Sequence, residues 1–515
     1  MTKRQRCDDP PWWPLLVDDV VSNGGFVHPD LKFLQANRTL AVTQKVLKGE
    51  VVLRIPTKKF MTKDRALSMC HPWLQDIITA EGSSFPWTNS TADIAIAIAL
   101  AMASCGSSDS YLYLHSLPES SSFDALPRRW SEEDIRKLLC GTSLLRHVIS
   151  AKTGAIEDYN NLLGRYRVYQ IDADKKENTQ LFPTFQKFSD MLAAVTSRAF
   201  QIGTTDEEIA IVPILDLGNH TRGKTTSKLG KKNVSYQYNV SEDAMIVRSM
   251  IDIDPGDSIR LTYGAKANAQ LLLNYGFCIP QNVEPDGSSN DILEFQTQSE
   301  GETSSGKFIS LRAGPKSYSY GGFVAALEEY FSTEKLTSIP GNGNENTDSS
   351  VERRQHNEIP NDFEDFLNEC EDEEEGDGDF MGLYQGDNSW SGSAVEDDSN
   401  TKKDHQTEIE ALQRFKLDLI KLSKGYNSKS TSIKSGIASS ELYSMILSMS
   451  ELRTIYFFVR VIDKVQHLLH LHTEEKTKSE YTILDVITDP KEFDMIDIQT
   501  DDLAKTFMSI RHGIF

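Results

Sequence analysis

Two hydrophobic patterns follow one another along this chain, and their order constrains the fold more than any single residue does. Before residue 60, segments 38–43 and 51–55 alternate or run apolar around Lys48-Gly49-Glu50, the pattern of a β-hairpin, and Pro56 ends the second segment. From 63 to 195 apolar residues instead recur every three or four positions, most clearly in 91–104 and 131–149, as helices require. The β pattern then returns in 212–217, 234–240, 244–249 and 258–262, with Ser241-Glu-Asp243 and Asp254-Pro-Gly-Asp257 as turns. Short strands on both sides of a helical run imply one β-rich domain split in sequence by a helical insertion. The expected fold class is α+β.

A chain of 515 residues exceeds one ordinary core and calls for two or three domains. Residues 1–19 read as a tail, because Pro10, Pro11 and Pro14 break helix. The split β domain occupies 20–280, with its insertion at about 63–195. Beyond it, 281–515 read as a mostly helical domain: 323–331 is one helix, and periodicity resumes with Ile409, Leu412, Leu419 and Leu422 and runs strongly through 441–471. Segment 337–402, rich in Gly, Asn, Ser, Asp and Glu, is too polar to order itself and is expected to be a disordered acidic insertion. It also explains the charge. The formal net charge is −22, and 341–400 alone holds 19 acidic and 2 basic residues, so the rest of the chain is near balance. An acidic chain of this kind is not built to bind nucleic acid directly.

The six cysteines are scattered without Cys-x-x-Cys spacing, so no metal site is expected and the thiols read as reduced and intracellular. The longest apolar run, 94–103, is half of the ~20 residues a membrane helix needs. A cytoplasmic or nuclear location is expected, with Lys3 to Arg6 a weak import signal and an organelle left open. His467 and His470 share a helix face near its end, where a solvated helix end is the simpler reading than a metal site.

Three stretches carry residues suited to chemistry. Asp216-Leu-Gly-Asn-His220 follows an apolar strand, 211–217. Tyr263-Gly and Tyr275-Gly-Phe277 bracket a short helix at 267–275 whose Leu271, Leu272 and Leu273 face inward. Alone, each has a structural explanation: Asn-His as a turn with satisfied side chains, the tyrosines as core residues with partnered hydroxyls. Their joint order changes that reading.

Pro213-Ile-Leu-Asp-Leu-Gly-Asn-His-Thr221 followed by Tyr263-Gly-x-x-x-Asn268-x-x-Leu-Leu-x-x-Tyr275-Gly-Phe277 resembles the core of SET-domain protein methyltransferases, of the subgroup similar to Rubisco large-subunit lysine methyltransferase. Ser197-Arg-Ala-Phe200, Asn23-Gly-Gly-Phe26 and Pro127-Arg-Arg-Trp-Ser131 extend the resemblance across roughly 20–280. It implies a knot-like β core, a helical C-terminal domain that binds the substrate, and S-adenosylmethionine as methyl donor. It also assigns roles. Ser22, Asn23, Gly24, Gly25, Phe26, Arg198, Asn219 and His220 would hold the cofactor, Tyr275 would be the principal catalytic residue, and Phe200, Asp216, Tyr238 and Tyr263 would line the substrate channel. The family's cysteine-rich zinc segment does not follow Phe277, which suits this subgroup and points away from histone substrates.

Methyl transfer from a sulfonium to an amine is an in-line displacement, so a protein must align three atoms and needs no covalent intermediate. A lysine must first lose its proton, and burial in an aromatic channel lowers its pKa. Phe200 gives an apolar wall suited to a lysine stem, so the implied activity is lysine methylation of a non-histone protein by a monomer. Protein histidine is the rival acceptor, and a silent SET-type binding module is the rival from another class; the presence of Asn219, His220 and Tyr275 argues against silence.

Overall fold

The computed structural model describes residues 10–70, 72–79, 87–105, 112–172, 182–205, 207–221, 232–280, 282–284, 288–296, 308–314, 323, 326–327, 330, 405–426 and 439–474. The chain divides into two compact units. The first is Met1–Ile292 with Tyr426–Ser428 and Gly436–Glu451, and the second is Leu293–Gly425 with Lys429–Ser435 and Leu452–Phe515.

The first unit begins with helix α1, Trp12–Ser22, inside the segment read from sequence as a tail. Pro14 does not prevent it, because first-turn amides have no intrahelical acceptor to lose. Trp13, Leu16 and Val20 form its buried stripe, and the Trp12 ring lies 4.9 Å from that of Phe33. Strand β1 (Phe26–Val27) follows, then β2 (Leu31–Leu34), β3 (Thr39–Val42) and β4 (Val51–Pro56). The expected hairpin joins different partners: β3 pairs with β2, in the register Leu31↔Val42. The turn at Gly49, with φ +88°, instead hooks onto a later segment, Gly49 N–H donating to Ser249 O and Ser249 N–H to Glu50 O at 2.9 Å each. That later segment is β10 (Ala244–Ser249). With β9 (Val234–Asn239) it completes an antiparallel sheet in the order β1-β4-β10-β9.

The helical insertion starts from β5 (Met61–Thr62) and holds α2 (Lys63–Met69), α3 (Pro72–Thr79), α4 (Thr91–Cys105), α5 (Glu132–Leu138), α6 (Leu144–Asp172) and α7 (Phe185–Arg198). Its ends meet in one three-stranded sheet, because β5 pairs with β7 (Ile209–Ile211), which also pairs with β6 (Ala199–Gln201). Helix α4 is buried all round, with Ala92 and every residue from Ile94 to Met102 in the core, as a helix without a polar face must be. Each fully buried Ile or Leu there contributes about 1.5–3 kcal/mol. Its N-terminus is closed by the Glu207 carboxylate, which accepts from the Thr91 and Ala92 amides at 3.0 Å and pairs with Lys63 at 3.0 Å. A negative group belongs there, at the positive end of the helix. Ser131 caps α5 as its sequence predicts, accepting from the Asp134 amide at 3.0 Å. The single periodic run 131–149 is two helices, broken where Gly141 takes φ +82°.

After β7 the apolar run to Leu217 does not continue as a strand. Ile214 turns to φ +70°, a costly conformation for a β-branched residue, and Leu215–Leu217 form a short 3-10 turn. Strand β8 (Asn219–His220) then lies parallel to β11 (Arg260–Leu261). Helix α8 (Asn268–Tyr275) follows. The Asp291 carboxylate accepts from the Asn268 amide at 2.6 Å at its start, and Gly276 at φ +76° ends it in the left-handed form that glycine tolerates. Leu271 and Leu272 are buried, and Leu273 is half-buried.

In the second unit β12 (Leu293–Gln296) pairs antiparallel with β13 (Phe308–Leu311). Phe323, Ala326, Leu327 and Tyr330, spaced as one face of the expected helix, are buried. Phe323 stacks on Phe415 at 5.7 Å and on Phe458 at 5.5 Å. The acidic segment 337–402 lies outside the described residues. His467 is exposed, while the side chains of His470 and His472 lie outside them too. No helix among the described residues is long and apolar enough to cross a membrane.

Candidate active site

The parallel pairing of β8 with β11 sets Leu261 opposite His220, so Tyr263, two residues on and on the same face, comes over the histidine. The Tyr263 amide donates to His220 Nδ1 at 2.9 Å, and an Nδ1 that accepts leaves the ring proton on Nε2. The two rings stack at 4.9 Å. On its other face Tyr263 stacks on Tyr275 at 4.8 Å and 18°. Phe277 closes the group, 6.0 Å from His220 and 6.2 Å from Tyr275. The Tyr263 hydroxyl donates to Gly218 O at 3.0 Å. That of Tyr275 has no hydrogen-bond partner among the described residues, and neither has the exposed side-chain amide of Asn219. Open polar groups beside an aromatic wall fit a polar ligand.

Burial pushes the Tyr263 hydroxyl up to about 12, helped by Asp216 and opposed by Arg198. Burial, then the neighbouring Tyr263 and Tyr236, push Tyr275 further in the same direction. Both are neutral at physiological pH, and neither is a general base.

Beneath this stack, Arg198 at the end of α7 donates through Nη1 to Asp216 O at 3.0 Å and pairs with Oδ2 at 3.1 Å. The Tyr113 hydroxyl donates to the same Oδ2 at 2.6 Å. Burial opposes both charges. It raises the Asp216 pKa against the pull of Arg198 and Tyr113. For Arg198 the opposing attraction of Asp216, Tyr113 and Tyr263 outweighs it, and the guanidinium is held more firmly protonated. The Asp216 side chain has no exposed surface. Its carboxylate is therefore a support for Arg198, where sequence reading had it lining the substrate channel.

Of the other channel candidates, Phe200 on β6 is 8% exposed and meets Tyr236 edge-on at 5.2 Å. Tyr236 donates to Thr262 O at 3.3 Å and lies within electrostatic reach of Tyr263 and Tyr275. Tyr238, two residues along the same face of β9, is carried away from the stack, to Phe60 at 6.4 Å and Asp243 Oδ1 at 3.1 Å. Sequence reading chose Tyr238; identical alternation made the two indistinguishable without the sheet register.

The Ser22 to Phe26 turn is held by contacts of its own. Asn23 Nδ2 donates to Asp19 O at 2.7 Å, and Ser22 Oγ to the same carbonyl at 3.3 Å. Gly25 packs so closely that a Cβ would stand 2.7 Å from Arg54 O, and Phe26 meets His28 at 6.3 Å. Asn23 and Gly24 line a surface pocket of about 310 Å³ with Arg54, Lys58, Glu242 and Asp243. Among the described residues, none of the five makes a hydrogen bond or ring contact with Arg198, Asn219, His220, Tyr263 or Tyr275.

A second turn carries a strained arginine. Between β2 and β3, Arg38 adopts φ +45° and donates through Nη2 to Ser116 O at 2.7 Å, its guanidinium 5.9 Å from the Phe33 ring centre. Burial and then the charge of Arg198 lower its pKa, while Asp216, Glu119 and Tyr113 oppose them. Tyr113 thus joins the group through a contact 103 residues apart in sequence, and Arg38 is tied to Ser116, 78 residues away, neither of which a local signal marks.

No protein-family model matches the chain. It is 27% identical over 256 residues to an actin-histidine N-methyltransferase of Danio rerio, covering 47% of this chain and 38% of that protein. To the Mus musculus protein of the same name it is 27% identical over 282 residues, covering 53% and 43%. The matched part thus spans about two fifths of the length of these relatives. Among solved structures it is similar to Rubisco LSMT bound to AdoMet, with TM-score 0.56 and 16% identity over 97% of this chain and 100% of that one. The SET domain of LSMT bound to lysine and AdoHcy gives TM-score 0.54 at 14% identity, over 96% and 99%.

Proposed function

We propose that this chain, which has the SET-domain fold, transfers a methyl group from S-adenosylmethionine to a lysine side chain of a protein substrate. The observation that carries the reading is the stack of His220, Tyr263 and Tyr275 beside the open amide of Asn219, with the Tyr263 hydroxyl fixed on Gly218 O. Two further findings support it: the solved neighbours hold AdoMet or AdoHcy, and the sequence relatives are methyltransferases by name.

When bound, S-adenosylmethionine would supply a sulfonium methyl group open to in-line attack by a neutral amine, the N–C bond forming as the C–S bond breaks, with the sulfide as leaving group and the methylammonium proton passing to solvent. Asn219 and His220, which form β8, would hold the donor, with Arg198 fixing the turn that precedes them. The Tyr263 hydroxyl spends its proton on Gly218 O, so its oxygen remains an acceptor that would help align the methyl group and the amine. The aromatic faces favour the positive charge at the reacting centre. Phe200 and Tyr236 wall the lysine stem, and burial lowers the amine pKa towards the neutral, nucleophilic form. This shifts the main catalytic weight from Tyr275, the residue the resemblance named, to Tyr263.

The second reading is methylation of protein histidine, and the names of the sequence relatives favour it. We place lysine first because the Phe200 ring offers an imidazole no hydrogen bond. One experiment separates these readings: incubation with methyl-labelled S-adenosylmethionine and a cell extract, followed by complete hydrolysis. Methyl-lysine is the expected product. Tyr263→Phe lowers the yield roughly 10²-fold, the cost of lost alignment, while cofactor binding persists, and Tyr275→Phe has a smaller effect. Methyl-histidine would keep the site and change the acceptor. No label in any extract would favour a silent binding module, and full turnover in both variants would mean that the site is misplaced.

A further inference from the structure

Tyr275 forms one face of the stack, and its hydroxyl has no hydrogen-bond partner among the described residues. Its direction is therefore set by the ring contact with Tyr263 at 4.8 Å and by the last turn of α8. That turn is gripped from the helical insertion. Pro127–Arg129 form a short 3-10 turn in which Arg128 is buried. Its Nη2 donates to Asn274 Oδ1 at 3.2 Å and, at 3.5 Å, to Leu273 O, on the two residues before Tyr275. Just past Tyr275, a Cβ at Gly276 would stand 3.1 Å from Ala125 Cβ. One segment of the insertion thus meets the chain on both sides of Tyr275.

The neighbouring arginine is an ordinary anchor. Arg129 pairs with Asp190 of α7 at 3.2 Å, and Lys152 of α6 donates to Trp130 O at 3.0 Å, so the turn is tied to the insertion without Arg128. Arg128 itself forms no ion pair among the described residues. Asp93, near the start of α4, is the acid in its electrostatic reach, and its Nε is buried without a hydrogen-bond partner. A guanidinium buried against neutral oxygens is a costly way to join two segments, since an apolar side chain of similar volume packs at least as well. What the cation adds is direction, because the carbonyls that end a helix carry partial negative charge and accept from a planar donor.

We propose that Arg128 is a positioning residue of the methyl-transfer site, holding the last turn of α8 so that the Tyr275 ring lies flat on Tyr263. This rests on the functional reading given above. Arg128 acts through the helix end and Asn274, and not on the reacting atoms.

The test measures transfer of labelled methyl groups to cell-extract protein at varied S-adenosylmethionine, with thermal unfolding alongside, for the full chain and its variants. Arg128→Met is expected to lower the maximal rate roughly 10- to 100-fold, the cost of a small misplacement at the site. The half-saturating S-adenosylmethionine concentration should stay unchanged, and the melting temperature should be no lower, because an unpaired buried charge has gone. Arg128→Lys keeps a cation at the helix end and should recover part of the rate. Tyr275→Leu removes the ring through which Arg128 acts, so adding Arg128→Met to it should cost no further rate. A full rate in Arg128→Met, or multiplying losses in the double variant, would overturn the proposal and leave the functional reading standing. An Arg128→Met chain that fails to fold, or that melts lower and regains the wild-type rate on cooling, would make Arg128 a structural residue and overturn it too. If the wild-type chain labels nothing, the functional reading fails and this proposal with it.

Discussion

Replacing Asp216 by Asn keeps the shape of the side chain and removes its charge, which makes it a direct probe of the support beneath the site. The Asp216 side chain is fully buried, and its Oδ2 receives both Arg198 Nη1 at 3.1 Å and the Tyr113 hydroxyl at 2.6 Å. An asparagine oxygen can keep both donors, so the loss is electrostatic: Arg198 remains buried with only neutral acceptors. Breaking a buried pair from one side costs about 3–5 kcal/mol, whereas replacing both partners by apolar groups costs far less. Asp216→Asn and Arg198→Met are therefore each expected to destabilise by about 3 kcal/mol or more, and the double variant by clearly less than the sum, with a coupling of about 2–3 kcal/mol. Urea unfolding followed by tryptophan fluorescence reads this, since five of the six tryptophans, Trp12, Trp13, Trp73, Trp87 and Trp130, belong to the first unit. At about 3 kcal/mol per molar urea, each single variant lowers the midpoint by about 1 M or more. An unchanged midpoint in Asp216→Asn, or strict additivity in the double variant, would refute the claim that the pair acts as one electrostatic unit.

Two further outcomes concern stability. Glu451 is fully buried, accepts from Ser143 N and Oγ and from the Tyr426 hydroxyl at 2.7 Å, and burial with Asp291 nearby raises it from 4.5 to about 7. The folded state therefore holds this proton more tightly than the unfolded chain. Its contribution is full below pH 4.5, is lost as pH rises to 7, and totals about 3 kcal/mol. Glu451→Gln should flatten that part of the stability profile, and a profile identical to wild type would count against the assignment. Gly276 stands at φ +76°, and a Cβ there would meet the Ala125 Cβ at 3.1 Å. Gly276→Ala should lose about 1–2 kcal/mol in thermal unfolding and lower turnover more than cofactor affinity, because it moves Tyr275 at the adjoining helix end; an unshifted melting curve would contradict this.

What the sequence disclosed and what it hid divide along contact range. Helix α4, the Ser131 cap and helix α8 follow from periodicity and capping within a dozen residues, and the structure has all three. The aromatic members of the stack were legible as motifs because Asn219, His220, Tyr263, Tyr275 and Phe277 fall in two short stretches. The failures involve distant partners. Nothing near Gly49 reveals that its turn hooks onto Ser249, so β4 was paired with the wrong strand. The break at Ile214 puts a β-branched residue where local propensity forbids it, and only the surrounding core holds it there. Tyr236 and Tyr238 share one alternation, and the choice between them rests on where β9 ends against β10. Asn23-Gly-Gly-Phe26 was conspicuous because of its glycines. Arg38, which takes a left-handed turn without one, left no such mark.

The insertion sewn into the sheet β5-β7-β6 also sets a schedule for synthesis. Strand β5 emerges from the ribosome long before its partner β7, and at cellular elongation rates the interval is on the order of ten seconds. Throughout it α4, which has no polar face, must be covered by helices that are themselves still arriving, and α7 comes last among them. The nascent chain therefore passes through a period in which its most apolar helix and two open strand edges coexist. Substitutions that slow α7, rather than those at the site, are where yield in a cell is most exposed to loss.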